Sequence, residues 1–384
     1  MRALCYHGSH DVHVDLVPDP VLRDSDDIIV RVTATAIGGS DLHIYRGRTA
    51  GMERGDILGH AFTGVVEEAG AGVTRLRRGD RVVVPALVAC GRCFFCALQQ
   101  FAFCEAGLAA TPNRRGIPPA AARFGQGRLY GGLPGGQADY VRVPHANTGP
   151  LRIPGDFADE RVLFLGELLP AAYQAVLNTG VMPGDNVAIF GAGPLGLMAA
   201  ACARLAGVER IFMVDHHDYR LAFAQESYGV FAINFDRVDD AAAVIVQETR
   251  GHGADAAIDA VGFEARGSMI DSALTALHLE AGNASVLRQC MAAVRRGGAV
   301  SVPGNYAGFI HGFPIGEAFE KGLAFRIGPT HVQRFLPKLL QFVERGDLKP
   351  ELMVTHRLPL TQAAEGYRLF DEKKEDCRQV VLYP

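Results

Sequence analysis

One glycine pattern constrains this chain more than any other feature. Gly191-Ala-Gly193-Pro194-Leu195-Gly196 directly follows the apolar run NVAIF and opens the helix-like stretch LMAAACARLAG. The first glycine permits a tight turn, the second lets a pyrophosphate approach the backbone, and the third lets the helix pack on the strand. The helix N-terminus then offers free N–H groups and its positive end to phosphates. Asp215 ends the next strand, RIFMVD, 19 positions after Gly196. A carboxylate there accepts both ribose hydroxyls and repels a 2′-phosphate, so NAD(H) is expected rather than NADP(H). Arg220 stands where it can cover the adenine or reach the same ribose.

The surrounding pattern agrees with the turn. DAAIDAVG, GGAVSVPG and LAFRIGPT read as further strands, separated by helical stretches such as SVLRQCMAAVRR. Such alternation implies a doubly wound parallel sheet with helices on both faces. Upstream, short β-like runs at Ile28–Val32, Val65–Glu68, Arg81–Val84 and Ala138–Val143 imply a small antiparallel, barrel-like domain. The stretch Glu105–Gly136 reads as loop, and the tail from Phe335 as a helix and a last strand, QVVLYP. Two domains also suit the length of 384 residues.

Charge and hydropathy exclude several partners. With 38 basic against 42 acidic residues the net charge is −4, which gives no reason to expect nucleic acid or an anionic membrane. The most apolar stretch, Val187–Ala203, is broken by glycines and Pro194, and MRALCYHGSHDVHVD has no apolar h-region. A cytoplasmic protein is therefore expected.

Of eight cysteines, Cys90, Cys93, Cys96 and Cys104 crowd one short segment, while Cys5, Cys202, Cys290 and Cys377 are scattered. Four thiolates within one loop suit tetrahedral zinc, and a closed four-cysteine shell leaves no place for substrate. The cluster is thus expected to bind a structural Zn²⁺ that folds a lobe lacking its own core. Catalysis must come from elsewhere.

A four-cysteine lobe ahead of a central glycine turn resembles the zinc-dependent medium-chain alcohol dehydrogenases, over nearly the whole chain. GSDLHIYRG, LGHAFTGVVEEAG, RRGDRVVVPA and GGQADYVRVP carry the resemblance. DAVGFEARG, ELLPAAYQ and PGNYAGF resemble the branch that contains glutathione-independent formaldehyde dehydrogenase. The resemblance implies an α/β fold: a GroES-like β-barrel catalytic domain at 1–155 with its zinc lobe at 88–105, a Rossmann NAD-binding domain at 156–330, and a return to the catalytic domain at 331–384. It further implies a substrate cleft between the domains and a homodimer or homotetramer built through the Rossmann sheet.

That family holds a catalytic zinc with a cysteine, a histidine and a further cysteine or acid. The cysteine position is Gly38 here, the histidine is His60 with Ala61 replacing its acidic neighbour, and the third position falls on Glu167. His60 and Glu167 are the residual donors, two where a zinc site wants three or four. Ser40 and His43 match the proton-relay positions, and a histidine suits moving a proton near neutral pH. The resemblance assigns cofactor contacts to Gly39, Leu195, Val261, Arg266, Pro303, Asn305, Gly328 and Thr330, besides the glycine turn. Ser268 replaces a histidine of the formaldehyde dehydrogenases.

Three readings follow. The first is an NAD(H)-dependent oxidoreductase without catalytic zinc, adding hydride to an activated C=C or C=N bond or using His43 or Tyr173 as acid. The second is a conventional zinc-dependent alcohol or aldehyde dehydrogenase with a substitute ligand. The third is an NAD-binding protein without redox turnover. Arg114, Arg115, Arg123 and Arg128 form a basic loop that suits an anionic substrate group.

Overall fold

The computed structural model describes residues 1–106, 121–262, 284–304, 306 and 313–384. Arg114, Arg115, Arg266, Ser268 and Asn305 lie outside the described residues. The chain divides into two compact units, Met1–Pro170 with His331–Pro384, and Ala171–Thr330.

The first unit opens with the hairpin β1 (Arg2–Gly8) and β2 (Asp11–Leu16), followed by β3 (Ile28–Ala36), α1 (Gly39–Tyr45), β4 (Ala61–Ala69) and β5 (Arg81–Val84). The turn α2 (Phe94–Ala97), the strands β6 (Tyr140–Val143) and β7 (Leu151–Arg152), and α3 (Asp159–Leu163) follow. β-Branched residues dominate β3 to β5, which suits a half-buried pleated surface. Their inward residues Val30, Val32, Val66, Val82 and Val84 share one core with Phe62 and Phe124, whose rings meet edge-on at 5.3 Å. α3 packs on β3 and β4, which carries this unit to Pro170.

In the second unit α4 (Leu168–Thr179) leads into β8 (Asn186–Phe190), α5 (Pro194–Leu205), β9 (Arg210–Asp215) and α6 (Asp218–Tyr228). β10 (Phe231–Asn234), α7 (Ala241–Glu248), β11 (Ala254–Asp259), β12 (Val294–Val302) and β13 (Ala324–Ile327) complete its sheet. The order is β10-β9-β8-β11-β12-β13 and every pairing is parallel. Order reverses between β8 and β11, the switch point outside which ligands bind in doubly wound sheets. Strands buried on both faces explain why NVAIF and RIFMVD are near-continuous apolar runs.

The chain then returns to the first unit through β14 (His356–Pro359) and β15 (Val380–Tyr383), giving the order β14-β15-β3-β4-β5-β7, with β6 also on β3. This return pins the loop after β3. Gln379 Nε2 donates to the Ile37 carbonyl at 2.9 Å. Tyr367 donates its hydroxyl to Gln137, whose amide donates to the Ala36 carbonyl. Both glutamines are buried, so these bonds are worth more than at a surface.

Register then decides what meets at the end of this sheet. Ala36 lies opposite Ala61, Phe62 opposite Val84, and the Ala86 N–H donates to the Gly166 carbonyl at 2.9 Å. The segments leaving β3, entering β4 and following Gly166 are therefore gathered together. They carry Gly38–Asp41, His60 and Glu167. No helix among the described residues is long and apolar enough to cross a membrane.

Candidate active site

In the second unit the glycine turn sits where β8 ends. Gly191 adopts φ +98°, and a Cβ there would meet Val261 Cγ2 at 2.7 Å, so a larger residue is excluded by both backbone and space. A Cβ on Gly196 would run into the Gly191 carbonyl oxygen, which is the close helix–strand approach expected of the third glycine. Pro194 takes the first turn of α5, where its missing N–H goes unmissed.

Asp215, at the end of β9, accepts the Ala192 N–H on Oδ2 at 2.7 Å and the His216 and His217 N–H groups on Oδ1 at 2.7 and 2.9 Å. Burial pushes its pKa up, but these donors and the Arg220 guanidinium outweigh that and hold it below the usual range. Arg220 is buried and lies 3.8 Å from where a Cβ on Gly193 would stand, so turn, acid and arginine form one constellation. Val261 and Gly262 both donate their N–H groups to Asp259 Oδ1, and Tyr306 donates its hydroxyl to Oδ2 at 2.5 Å. Burial outweighs these bonds and raises the Asp259 pKa. Asp259 and Tyr306, which tie the loop after β11 to the one after β12, had no role in the sequence reading; their signal lay in DAVG and PGNY. Leu195, Pro303 and Thr330 are half-buried and Gly328 is exposed in this unit, and Tyr173 is buried on α4.

In the first unit the four clustered cysteines converge, all four sulfurs lying within 4.8 Å of one another. Zinc–sulfur bonds of about 2.3 Å at tetrahedral angles need that spacing. Burial opposes ionisation of Cys93, yet N–H groups of Glu105 and Cys96 bring its pKa down to about 7. The Cys90 N–H also points at Cys104 Sγ at 3.2 Å. Burial pushes Cys96 and Cys104 the other way, but four converging sulfurs, with backbone N–H groups aimed at Cys93 and Cys104, fit a structural Zn²⁺. Cys5, Cys202, Cys290 and Cys377 are buried and form no disulfide.

The other cluster of this unit is built on His60, which is buried to 1% exposure and engaged at both nitrogens. Nδ1 faces Asp41 Oδ1 at 3.0 Å, and Nε2 faces Glu167 Oε2 at 2.5 Å. The Ser40 hydroxyl lies 3.1 Å from the same Nε2. Asp41 is wholly buried and its second oxygen accepts the Gly38 N–H at 2.8 Å. Burial pulls the His60 pKa down, but Asp41 and Glu167 override it and hold the ring well above the ordinary imidazole range. Glu167 keeps 32% of its side chain exposed. Burial pushes its pKa up, while His60 foremost, and Arg123 behind it, bring it below the carboxylate norm. The ring is thus held between two carboxylates, one at each nitrogen.

Gly38 matters here through what it lacks. A Cβ at position 38 would fall 2.7 Å from His60 Cε1 and 2.8 Å from Nε2, inside contact distance. The ring occupies space that a side chain at 38 would need. Among the described residues, no third His, Cys, Asp or Glu donor groups with His60 and Glu167 in the spacing an ion requires. Sequence reading took those two as residual metal donors; the structure joins them directly to each other, with Asp41 behind the ring. Asp41 was missed, although its place one residue after Ser40 in the first turn of α1 was there to read. His43 follows Ser40 by one turn of α1, on the same helix face. Gly39 opens α1 and a Cβ on it would meet open space. In the basic loop, Arg128 pairs with Glu53 at 2.5 Å and Arg123 stacks on Tyr130 at 5.0 Å, so each guanidinium already has a partner.

Comparison with known proteins covers the whole chain. Residues 24–154 match the alcohol dehydrogenase GroES-like domain, and residues 194–282 the zinc-binding dehydrogenase family. An uncharacterized zinc-type alcohol dehydrogenase-like protein, AdhB of Bacillus subtilis (strain 168), is 39% identical across 100% of both chains. Glutathione-independent formaldehyde dehydrogenase of Pseudomonas aeruginosa is 34% identical, over 96% of this chain and 94% of its own. Among solved structures, alcohol dehydrogenase TADH from Thermus sp. ATN1 superposes with a TM-score of 0.86 at 34% identity, over 100% of this chain and 99% of its own.

Proposed function

We propose that this chain, which belongs to the zinc-type alcohol dehydrogenase family and is an oxidoreductase of the medium-chain type, moves hydride between NAD(H) and a small organic substrate without a zinc ion at its reaction centre. The observation that carries this reading is the Asp41–His60–Glu167 clasp beside a residue with no side chain. A ring that keeps a proton on each nitrogen, between two carboxylates, has no lone pair to give a metal, and Gly38 supplies no thiolate.

The nicotinamide, when bound, supplies or accepts the hydride. The chain's own work is binding, orientation and the proton. Gly193 opens the backbone to the pyrophosphate, and Asp215, ionised in the fold, is suited to accept from ribose hydroxyls and to repel a 2′-phosphate. In the other unit Asp41 and Glu167 keep a proton on His60 Nε2, and Ser40 Oγ is within hydrogen-bond reach of it. Proton delivery through Ser40, with His43 on the same helix as the relay's other member, then completes a reduction. Without a Lewis acid to hold an alkoxide, activated C=C or C=N bonds are the substrates that suit this apparatus. Exposed Ile315, Phe319 and Ile327, the last on edge strand β13, support a homodimer or homotetramer formed through the Rossmann sheet, and a cytoplasmic site of action goes with the same reading.

Zinc content of purified, undialysed protein tests the reading directly. One zinc per chain is expected, held by the cysteine lobe. A further zinc that His60→Ala removes would overturn it and put the conventional zinc-dependent alcohol or aldehyde dehydrogenase first. Asp215→Asn, in turn, is expected to weaken NADH binding by about tenfold or more, the loss of a charged hydrogen-bond acceptor. The same variant should narrow the preference over NADPH, both measured by titrating cofactor fluorescence. An unchanged NADH affinity would remove Asp215 from the cofactor site.

A further inference from the structure

Asp215 is followed by two histidines that a dinucleotide site does not need. His216 and His217 stack with ring centroids 3.9 Å apart and a tilt of 39°, and one donor atom from each of the three residues falls within 4.8 Å of the other two. His216 Nδ1 lies 3.6 Å from Asp215 Oδ1. Two ligands bonded to one tetrahedral zinc at about 2.1 Å each stand roughly 3.4 Å apart, so the gap admits such an ion with little movement. We propose that Asp215, His216 and His217 form a second, cofactor-excluding metal site for a divalent transition ion of the zinc type.

The loop is built in advance of any ion. Asn234, closing β10, donates its side-chain amide both to the His216 carbonyl at 3.2 Å and to Asp218 Oδ1 at 2.7 Å. Phe235 packs against the His216 ring at 5.2 Å. Asp215 is held ionised by the backbone donors already described, with 9% of its side chain exposed, and His216 keeps 19% exposed, enough for an ion to enter. The donor chemistry then selects the ion. His217 caps α6 and Arg220 stands nearby, so the local potential is not negative enough to hold Ca²⁺ or Mg²⁺ by charge. Two imidazoles and one carboxylate suit zinc, cobalt, nickel or copper, and three protein donors leave positions open for water.

The ion engages the same carboxylate that the proposed cofactor ribose needs, so metal and dinucleotide exclude one another. That consequence rests on the dinucleotide reading above; the metal site does not. Both are tested by titrating Co²⁺ into intact protein whose cysteine lobe is filled with zinc. One equivalent is expected to bind, with visible d–d bands and no thiolate-to-cobalt charge-transfer band. His216→Gln/His217→Gln should weaken this binding by at least about tenfold. At saturating Co²⁺ the wild-type apparent Kd for NADH should rise by a similar factor, and that of the double variant should not. A thiolate band, or a titration unaltered in the double variant, would overturn the site, and the wild-type spectrum decides this even where the variant fails to fold. NADH binding indifferent to bound Co²⁺ would overturn the exclusion. Absence of NADH binding at any metal level, with the cobalt titration as expected, would sink the dinucleotide reading and leave the metal site standing.

Discussion

His60→Ala is expected to destabilise the first unit by about 3–5 kcal/mol, among the largest single-substitution effects this chain offers. The cause is not the lost packing of an imidazole but what stays behind. Asp41 is wholly buried, and without the ring its charge keeps the Gly38 N–H but loses the partner on its other oxygen. The pH dependence carries a sign that identifies the mechanism. His60 has its folded pKa raised well above 6.5, so its contribution is complete below the unfolded pKa and is lost as pH rises through the folded one. Glu167, lowered from 4.5, contributes above its unfolded pKa and loses that contribution as pH falls through its folded value. Wild-type stability should therefore decline on the alkaline side, and His60→Ala should flatten that limb. Urea unfolding of both proteins across pH measures it. A variant within about 1 kcal/mol of wild type, with parallel pH curves, would remove the clasp from the account. Under the proposed function, turnover should also fall by on the order of a hundredfold or more, because the proton held beside Ser40 goes with the ring.

Cys104→Ser should remove the structural zinc altogether, lowering the zinc content by one per chain. A serine hydroxyl is a poor ligand, and closed structural sites supply folding energy of about 10–16 kcal/mol in small zinc domains. The damage is expected to spread along a traceable path. The Ala102 N–H donates to His331 Nδ1 at 3.3 Å, and the Phe103 ring meets the His331 ring edge-on at 5.2 Å. His331 in turn precedes the helix Val332–Arg345, whose Gln333 donates to the Leu87 carbonyl at 2.8 Å. Loss of the lobe therefore loosens the start of that helix as well. Limited proteolysis checks it: cleavage should appear within residues 90–106 and then near 331. A variant that keeps the wild-type zinc content and cleavage pattern would show that three thiolates suffice.

Much of the fold was legible because it is written in local patterns. The glycine turn between two apolar runs and the strand–helix alternation after it specify the parallel sheet, since strands buried on both faces must be apolar throughout. The four cysteines needed only their spacing. Within the candidate site, the missing donor at Gly38 was visible at one position. The ring's engagement was not, because it depends on Ala36 lying opposite Ala61 and on Ala86 binding Gly166, neither of which any window of sequence contains. Asp41 was overlooked for the same reason: an acid in the first turn of a helix ordinarily favours the dipole and faces solvent, and only tertiary placement buries it against His60. Asp259 and Tyr306 lie 47 residues apart and meet through the sheet alone.

The ring of His60 lies so close to Gly38 that the two positions no longer vary independently. A cysteine restored at 38 would bring its Cβ to 2.7 Å from a ring that two carboxylates hold in place. A side chain at 38 must therefore displace that ring, and a move away from Asp41 leaves a wholly buried carboxylate without the ring beside it. Positions 38 and 60 are thus coupled: a larger residue at the first demands another placement of the ring at the second.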